Sequence, residues 1–246
     1  MLSFLAVQMS KRILSLASDE TIASNKWIAS TMTGAKVRNE DAVSLRIQGI
    51  AMRVCVADGH WGSGAAKRAA IFWSKLPNFP INQKDSIFFV SKLEDILFKA
   101  YGKIDMDEDQ DLTPESAFVA LELVNNSLRF VSYGDCRIMV VRNRQVVVRN
   151  QPKQTWIGAF SHLGLRKRLP LSKALEFQQH QLKCGDTILV FSDGVDECVY
   201  GVPTMNDEFF LKAIDRRDLQ AIREAIISAV IEHGAEDNAS LVIVRV

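Results

Sequence analysis

The stretch Arg53-Val54-Cys55-Val56-Ala57-Asp58-Gly59-His60 is an apolar run that ends in an aspartate and a glycine. The same arrangement returns in Thr187-Ile188-Leu189-Val190-Phe191-Ser192-Asp193-Gly194. Each run predicts a buried strand that ends at a carboxylate, where the glycine leaves room beside it for a charged ligand. A lone Asp-Gly is more often only a turn, so this interpretation needs support from the rest of the chain.

Two further acidic clusters also lie beside apolar runs, Arg38-Asn39-Glu40-Asp41 and Glu236-Asp237-Asn238. Carboxylates that gather in one place repel one another unless cations neutralise them. Hard divalent cations prefer oxygen ligands, and the chain offers Asp and Glu without a Cys or His cluster. The residues alone therefore predict a site for more than one metal ion.

The composition is typical of a soluble globular chain. Of 246 residues, 48% are hydrophobic and 24% charged, which is enough to build a core. The net charge of +1 gives no drive toward nucleic acid or a membrane surface, so we expect neither as a partner. No window approaches the roughly 18 uncharged apolar residues that a membrane span needs, and residues 1–7 are too few for a secretory signal. The four cysteines lie far apart, and we expect them reduced in a cytoplasmic protein.

Periodicity predicts two blocks of strands, each followed by helices. The expected strands are 27–33, 42–48, 51–57, 118–124, 128–133, 137–141, 145–148, 175–181, 187–191 and 239–246, and the expected helices include 62–75, 86–101 and 219–232. Residues 150–171 show no period and predict an irregular, flap-like loop. The order predicts an α+β fold of packed antiparallel sheets with helices outside, in one domain over 1–246 with an N-terminal extension over 1–26.

Five blocks resemble, in order, the metal-dependent Ser/Thr protein phosphatases of type 2C. The blocks are Gly34-x-Lys36-x-x-x-Glu40-Asp41, Val56-Ala57-Asp58-Gly59-His60, Gly134-Asp135-Cys136-Arg137, Ser192-Asp193-Gly194 and Asp237-Asn238. Each is weak alone, but together they extend from about residue 33 to 246. The resemblance implies a four-layer α-β-β-α sandwich of two antiparallel sheets flanked by helices, with two Mn²⁺ or Mg²⁺ ions in a cleft at one end.

The resemblance also implies a role for each matched residue in metal binding. Asp58 would bridge both ions. The other implied ligands are Asp193 and Asp237 for one ion, Glu40 and the Gly59 carbonyl for the second, and Asp41 through metal-bound waters. In relatives, a third, looser ion is bound by an acidic residue that lies shortly before a strand starting with Gly-Ser/Thr-Thr-Ala. The matching position in this chain is Asp111. Pro114-Glu115 stands where the small residues usually do.

In the chemistry that the resemblance implies, a hydroxide between the ions attacks the phosphorus directly, and no phosphoenzyme forms. His60 would protonate the departing serine or threonine oxygen, a task that suits its near-neutral reference pKa. The phosphate-binding arginine of the family aligns on Lys36, which lacks a bidentate fork, and Arg38 is a substitute on the same face. Trp61 and Cys136 also depart from the family pattern, and Asp135 is interpreted as a structural turn residue.

The main hypothesis is a protein serine/threonine phosphatase that acts on phosphorylated proteins and opposes a Ser/Thr kinase. The alternative is a non-catalytic module of the same fold that binds phosphoproteins, favoured by Lys36, Trp61 and Pro114-Glu115. A third possibility, a small-molecule phosphatase, would share the metals.

Overall fold

The computed structural model describes residues 12–16, 19–101, 114–153, 155, 157, 170–199, 202–216 and 218–246. In chain order, the strands are β1 (Arg12–Leu16), β2 (Thr21–Ala23), β3 (Trp27–Met32), β4 (Ala42–Gln48), β5 (Ala51–His60), β6 (Glu115–Val124), β7 (Ser127–Tyr133), β8 (Arg137–Arg142), β9 (Gln145–Arg149), β10 (Leu175–Gln181), β11 (Thr187–Phe191) and β12 (Ala239–Arg245). The helices are α1 (Gly64–Lys75), α2 (Gln83–Tyr101), α3 (Leu171–Ala174), α4 (Asp207–Ile214) and α5 (Leu219–Glu232), with a 3₁₀ turn at Asp193–Val195.

The strands form two antiparallel sheets of six strands each. The first sheet has the order β1-β4-β5-β6-β7-β10 and the second the order β2-β3-β12-β11-β8-β9. Buried aliphatic side chains such as Val54, Val56 and Ile188 fill the space between the sheets. These inward residues alternate with outward ones because successive side chains of a strand point to opposite faces.

Helices cover the outer faces of both sheets. Trp73 of α1 and Leu93 of α2 pack on the first sheet in one buried cluster. Ile222 and Ile226 of α5 pack on the second sheet together with Phe210 of α4. The predicted four-layer sandwich is confirmed.

Two predicted features change in the structure. Residues 12–16 and 21–23, which fall in the expected N-terminal extension, supply edge strands to the two sheets. The strand predicted over 51–57 continues to His60, because β6 begins at Glu115 and pairs with β5 over its whole length. The single-domain interpretation stays a prediction, and most of the expected loop over 150–171 lies outside the described residues.

The predicted hairpin turns are present where the sequence places them. Asn125, Asn143 and Arg144 all have positive φ, as does Gly49 between β4 and β5. Asparagine and glycine tolerate this conformation, which tight hairpin turns require. The hairpins bring the strand ends that carry the acidic motifs to one end of the sandwich.

Candidate metal and phosphate site

The two Asp-Gly motifs are packed against other backbone segments of the site. A Cβ at Gly59 would collide with the carbonyl oxygen of Glu40, and a Cβ at Gly194 would collide with that of Asn238. Each glycine therefore permits close backbone approach, whereas the sequence was interpreted as leaving room there for a charged ligand. As a result, the ends of β5 and β11 lie directly against the segments that carry Glu40 and Asp237.

Three carboxylates converge where these strand ends meet. Asp58, Asp135 and Asp193 each place an oxygen within 4.8 Å of the other two. Asp58 is 4% exposed and Asp135 only 2%. Asp135 comes from the connection between β7 and β8, so the interpretation of this aspartate as a purely structural turn residue was incomplete.

Two other predicted residues lie beside this trio. Asp41 is buried at the start of β4, and its Oδ2 accepts a 2.8 Å hydrogen bond from the hydroxyl of Ser192. Asp237 is buried just before β12. The charges of Asp41 and Asp237 act on the trio, because both raise the pKa of Asp58.

Burial and mutual repulsion shift the titration of the whole cluster. Burial raises the pKa of Asp41 to about 7, with a further increase from Asp237 and a decrease from hydrogen bonds to Ser240 and Ser192. Burial and the charge of Asp193 raise the pKa of Asp135 to about 7. The pKa of Asp58 is raised well above its usual value by burial first and then by Asp193 and Asp41. The cluster is therefore under electrostatic strain unless protons or cations neutralise it.

The donor set fits divalent cations. Within the described residues, Asp41 Oδ1, Asp58 Oδ2 and Asp135 Oδ1 are buried and accept no hydrogen bond. Buried polar atoms are normally satisfied, so three orphaned carboxylate oxygens in one place indicate a missing partner. Hard oxygen donors at this density suit Mg²⁺ or Mn²⁺ and do not suit a soft metal.

Glu40 and Asp111 were also predicted as ligands. The Glu40 backbone lies directly against Gly59. The Glu40 side chain is 15% exposed, and its Oε1 lies 4.0 Å from Arg38 Nε. The Glu40 backbone is held in place by Asn238, whose Oδ1 accepts a 2.8 Å hydrogen bond from the Glu40 amide. Asp111, the candidate for a third ion, lies outside the described residues.

His60 lies next to the cluster and has a carboxylate partner that the sequence did not predict. Its Nε2 lies 4.0 Å from Asp58 Oδ2, and its Nδ1 lies 3.7 Å from Glu115 Oε1. His60 and Glu115 are register partners in the β5–β6 pairing. Burial by itself would lower the pKa of His60, but Glu115 and Asp135 outweigh it and the pKa is raised. The two carboxylates therefore increase the protonated fraction of the imidazole, the direction that suits a proton donor.

The two cations predicted to bind phosphate differ in position. Lys36 Nζ lies 2.9 Å from Asp237 Oδ1, while the Arg38 side chain is 78% exposed. Lys36 reaches this position because its loop is anchored: Ala35 donates a 2.7 Å backbone hydrogen bond to Ala235. Gly34, with φ +65°, has no room for a side chain against Asp237. Burial lowers the pKa of Lys36, but Asp237 outweighs it and the pKa is raised.

Arg137 braces the segment that follows Asp193. Its guanidinium pairs with Asp196 at 3.0 Å and with Glu197 at 2.9 Å. Sequence reasoning assigned no task to Arg137. The available signal was its place in the same block as Asp135, directly at the start of β8.

Comparison with known proteins agrees with this geometry. The family model described as Stage II sporulation protein E (SpoIIE) matches residues 85–246, well over half of the chain. The chain therefore belongs to the SpoIIE family, and its assignment to the type 2C class of protein serine/threonine phosphatases is confirmed. A comparison with curated proteins gave no match.

Solved structures share the fold at low sequence identity. A serine/threonine phosphatase from S. agalactiae is 14% identical, with a TM-score of 0.67 over 96% of this chain and 100% of that one. The catalytic domain of the serine/threonine protein phosphatase PstP, solved with two manganese ions, is 17% identical, with a TM-score of 0.62 over 89% of this chain and 97% of that one. PppA from Pseudomonas aeruginosa is 16% identical, with a TM-score of 0.61 over 92% and 99%. Among the described residues, no helix is both long and apolar enough to span a membrane.

Proposed function

We propose that this protein hydrolyses phosphoserine and phosphothreonine in other proteins, with two divalent cations, Mn²⁺ or Mg²⁺, as cofactors. The observation that carries the proposal is the convergence of Asp58, Asp135 and Asp193, all drawn from different strand ends, with oxygens within 4.8 Å of one another. Folding such a cluster costs free energy, so its presence in the fold is best explained by a ligand that recovers that cost.

The residues that would hold the ions are Asp58, Asp193, Asp237, Glu40, the Gly59 carbonyl and, through water, Asp41. When bound, two divalent ions lower the pKa of water and neutralise phosphate charge, so that the phosphoryl group passes directly to water. Asp58 is the central residue in this assignment because its carboxylate faces Asp193, Asp41 and Asp135. A third ion stays part of the proposal, with Asp111 as its candidate ligand.

The remaining residues orient the substrate and supply a proton. His60, whose pKa Glu115 helps to raise, donates a proton to the oxygen of the departing serine or threonine. Lys36 provides a point charge for the phosphate next to the predicted ligand Asp237. Arg38, exposed on the same loop, contributes charge at the rim.

The test is a panel of phosphoserine, phosphothreonine and phosphotyrosine peptides plus an aryl phosphate, with and without Mn²⁺. We expect Mn²⁺-dependent phosphate release from the serine and threonine peptides. Asp58→Asn should remove turnover, while Asp95→Asn, on the exposed face of α2, should keep it. Normal Mn²⁺ binding with no release from any substrate would refute the proposal.

A phosphoprotein-binding module without catalysis is the second candidate. It is favoured by Lys36, whose ammonium is already paired with Asp237 rather than directed to open solvent. Calorimetry with Mn²⁺ separates the two candidates, because a module without catalysis should bind fewer ions or none. A cytoplasmic location, phosphorylated proteins as partners and a counteracting Ser/Thr kinase complete the proposal.

A further inference from the structure

A groove of about 1020 Å³ runs beside α1. One wall is the loop between β3 and β4, including Val37 and Arg38, and the floor is the start of β4. The other wall is one face of α1, where Lys67, Ile71 and Lys75 follow one another at a spacing of four residues. Residues at this spacing lie on the same side of a helix.

The groove adjoins the candidate active site through a shared residue, Asp41. Asp41 is one of the lining residues, and its buried Oδ1 accepts no hydrogen bond from the described residues. Ser63, just ahead of α1 and three residues after His60, is also part of the lining. Because Asp41 belongs both to the groove lining and to the group of charges around Asp58, a chain whose phosphorylated residue lies at the cluster is close enough to continue into the groove.

The groove has an excess of positive charge. Lys67 and Lys75 are exposed, and neither has an ion-pair partner among the residues that the structure describes. Arg38 approaches Glu40 only at 4.0 Å. Apart from Asp41, Asp19 is the acidic residue of the lining, and its oxygens already accept hydrogen bonds from the Thr33 amide and hydroxyl. Because the chain as a whole carries a net charge of only +1, this excess is local.

We propose that this groove binds the polypeptide that flanks the phosphorylated residue and selects acidic side chains there. The inference rests on the proposed function and names its substrate class: phosphoproteins with acidic residues on one side of the phosphorylated serine or threonine. Lys67 and Lys75 lie about 12 Å apart along the helix, the span of about four residues of extended chain. Two acidic residues three or four positions apart therefore match the two lysines.

The experiment compares two phosphoserine peptides that differ only in their flank, one with two glutamates four residues apart and one with two glutamines. The measured quantity is the ratio of their kcat/KM values. We expect the protein to favour the acidic peptide about tenfold, and Lys67→Glu with Lys75→Glu to abolish or invert this preference. The matched control is Lys26→Glu with Lys84→Glu, which changes the total charge equally at exposed positions outside the groove. Lys67→Gln with Lys75→Gln is the milder pair in case the reversal impairs folding.

The preference should also shrink at 0.5 M salt, where exposed charges are screened. An unchanged ratio in the groove variant, or an equal loss in the control pair, would overturn the groove assignment. A change of oligomeric state in the groove variant without a change of the kcat/KM ratio would also overturn the assignment, because a second copy of this protein would then be the occupant of the groove.

Peptide binding in EDTA tests the groove independently of turnover. The acidic peptide, labelled with a fluorophore, should bind about tenfold more weakly to the groove variant than to the control. If no substrate is hydrolysed, the proposed function fails, while this binding measurement still decides the groove. Equal binding to both variants would reject the groove.

Discussion

Replacing Asp135 by Asn in the metal-free protein should increase its stability, which is an unusual result for a fully buried residue. Asp135 is 2% exposed, its Oδ1 accepts no hydrogen bond from the described residues, and Asp58 and Asp193 lie close to it. Asparagine has nearly the same shape but cannot ionise. The substitution therefore removes one of several repelling charges and leaves the packing intact.

The magnitude follows from the titration of Asp135. Its pKa rises from 3.8 to about 7 on folding, a difference of about three units, and each unit corresponds to 1.36 kcal/mol. Because the folded pKa is the higher one, the folded protein holds a proton that the unfolded chain has lost between pH 4 and pH 7. Stability of the unmodified protein therefore falls as pH rises through this window. At pH 8 the cost approaches about 4 kcal/mol, and a gain of about 2 to 4 kcal/mol allows for relaxation of the cluster.

The assay is thermal unfolding in EDTA at pH 5, 6, 7 and 8. A gain of 2 to 4 kcal/mol predicts a Tm increase on the order of 5 to 10 °C at pH 8, with a smaller increase at pH 5. Saturating Mn²⁺ should reduce the difference, because bound cations stabilise the unmodified cluster. Asp95→Asn controls for the loss of one negative charge. A lower Tm for Asp135→Asn at pH 8, or a pH dependence equal to that of the unmodified protein, would refute the reasoning.

Three further substitutions test single contacts of the site. Glu115→Gln should slow the hydrolysis of phosphoserine peptides about tenfold and should slow that of p-nitrophenyl phosphate less, because a good leaving group needs little protonation. Equal slowing of both substrates would contradict a role of Glu115 through His60. Lys36→Met should tighten Mn²⁺ binding several-fold by calorimetry, because an ammonium 2.9 Å from Asp237 opposes a cation there, whereas Lys26→Met should leave the affinity unchanged. Arg137→Ala should lower the free energy of unfolding in denaturant by about 3 kcal/mol, because it leaves Asp196 and Glu197 without their cation. Arg144→Ala breaks an exposed pair and should cost less than about 1 kcal/mol, and similar costs for both variants would argue against bracing by Arg137.

The sequence predicts the fold well because the strands are short, apolar and separated by residues with a fixed conformational preference. The hairpin between β6 and β7 follows from Asn125-Asn126, and Asn143-Arg144 fixes that between β8 and β9. The edge strands β1 and β2 are harder to predict, because short strands at a sheet edge depend on their neighbours more than on their own propensity. β2, for example, has three residues and forms only where β3 offers a partner.

The site is predictable in its parts and less so in its pairings. Asp58, Asp41, Asp193 and Asp237 are visible in the sequence as acidic residues beside apolar runs, and in the structure the charges of the other three all act on Asp58. Asp135 was undervalued because a Gly-Asp pair between two strands is the usual signature of a turn. Its contribution to the acidic cluster depends on how close the β7–β8 connection lies to the end of β5, and a local sequence pattern does not give that distance.

The departure from the family pattern at Glu115 is visible in the sequence, but its role can be interpreted only from the register of the β5–β6 pairing. In the sequence, Pro114-Glu115 replaces small residues and counts against catalysis. In the structure, the β5–β6 pairing places Glu115 opposite His60, where it raises the histidine pKa. A carboxylate that is 3% exposed is costly to bury, so its position opposite His60 points to a task for the pair. A raised imidazole pKa serves a proton donor and also a cation that binds phosphate, and the leaving-group comparison for Glu115→Gln separates the two, because only proton donation makes phosphoserine more sensitive than p-nitrophenyl phosphate.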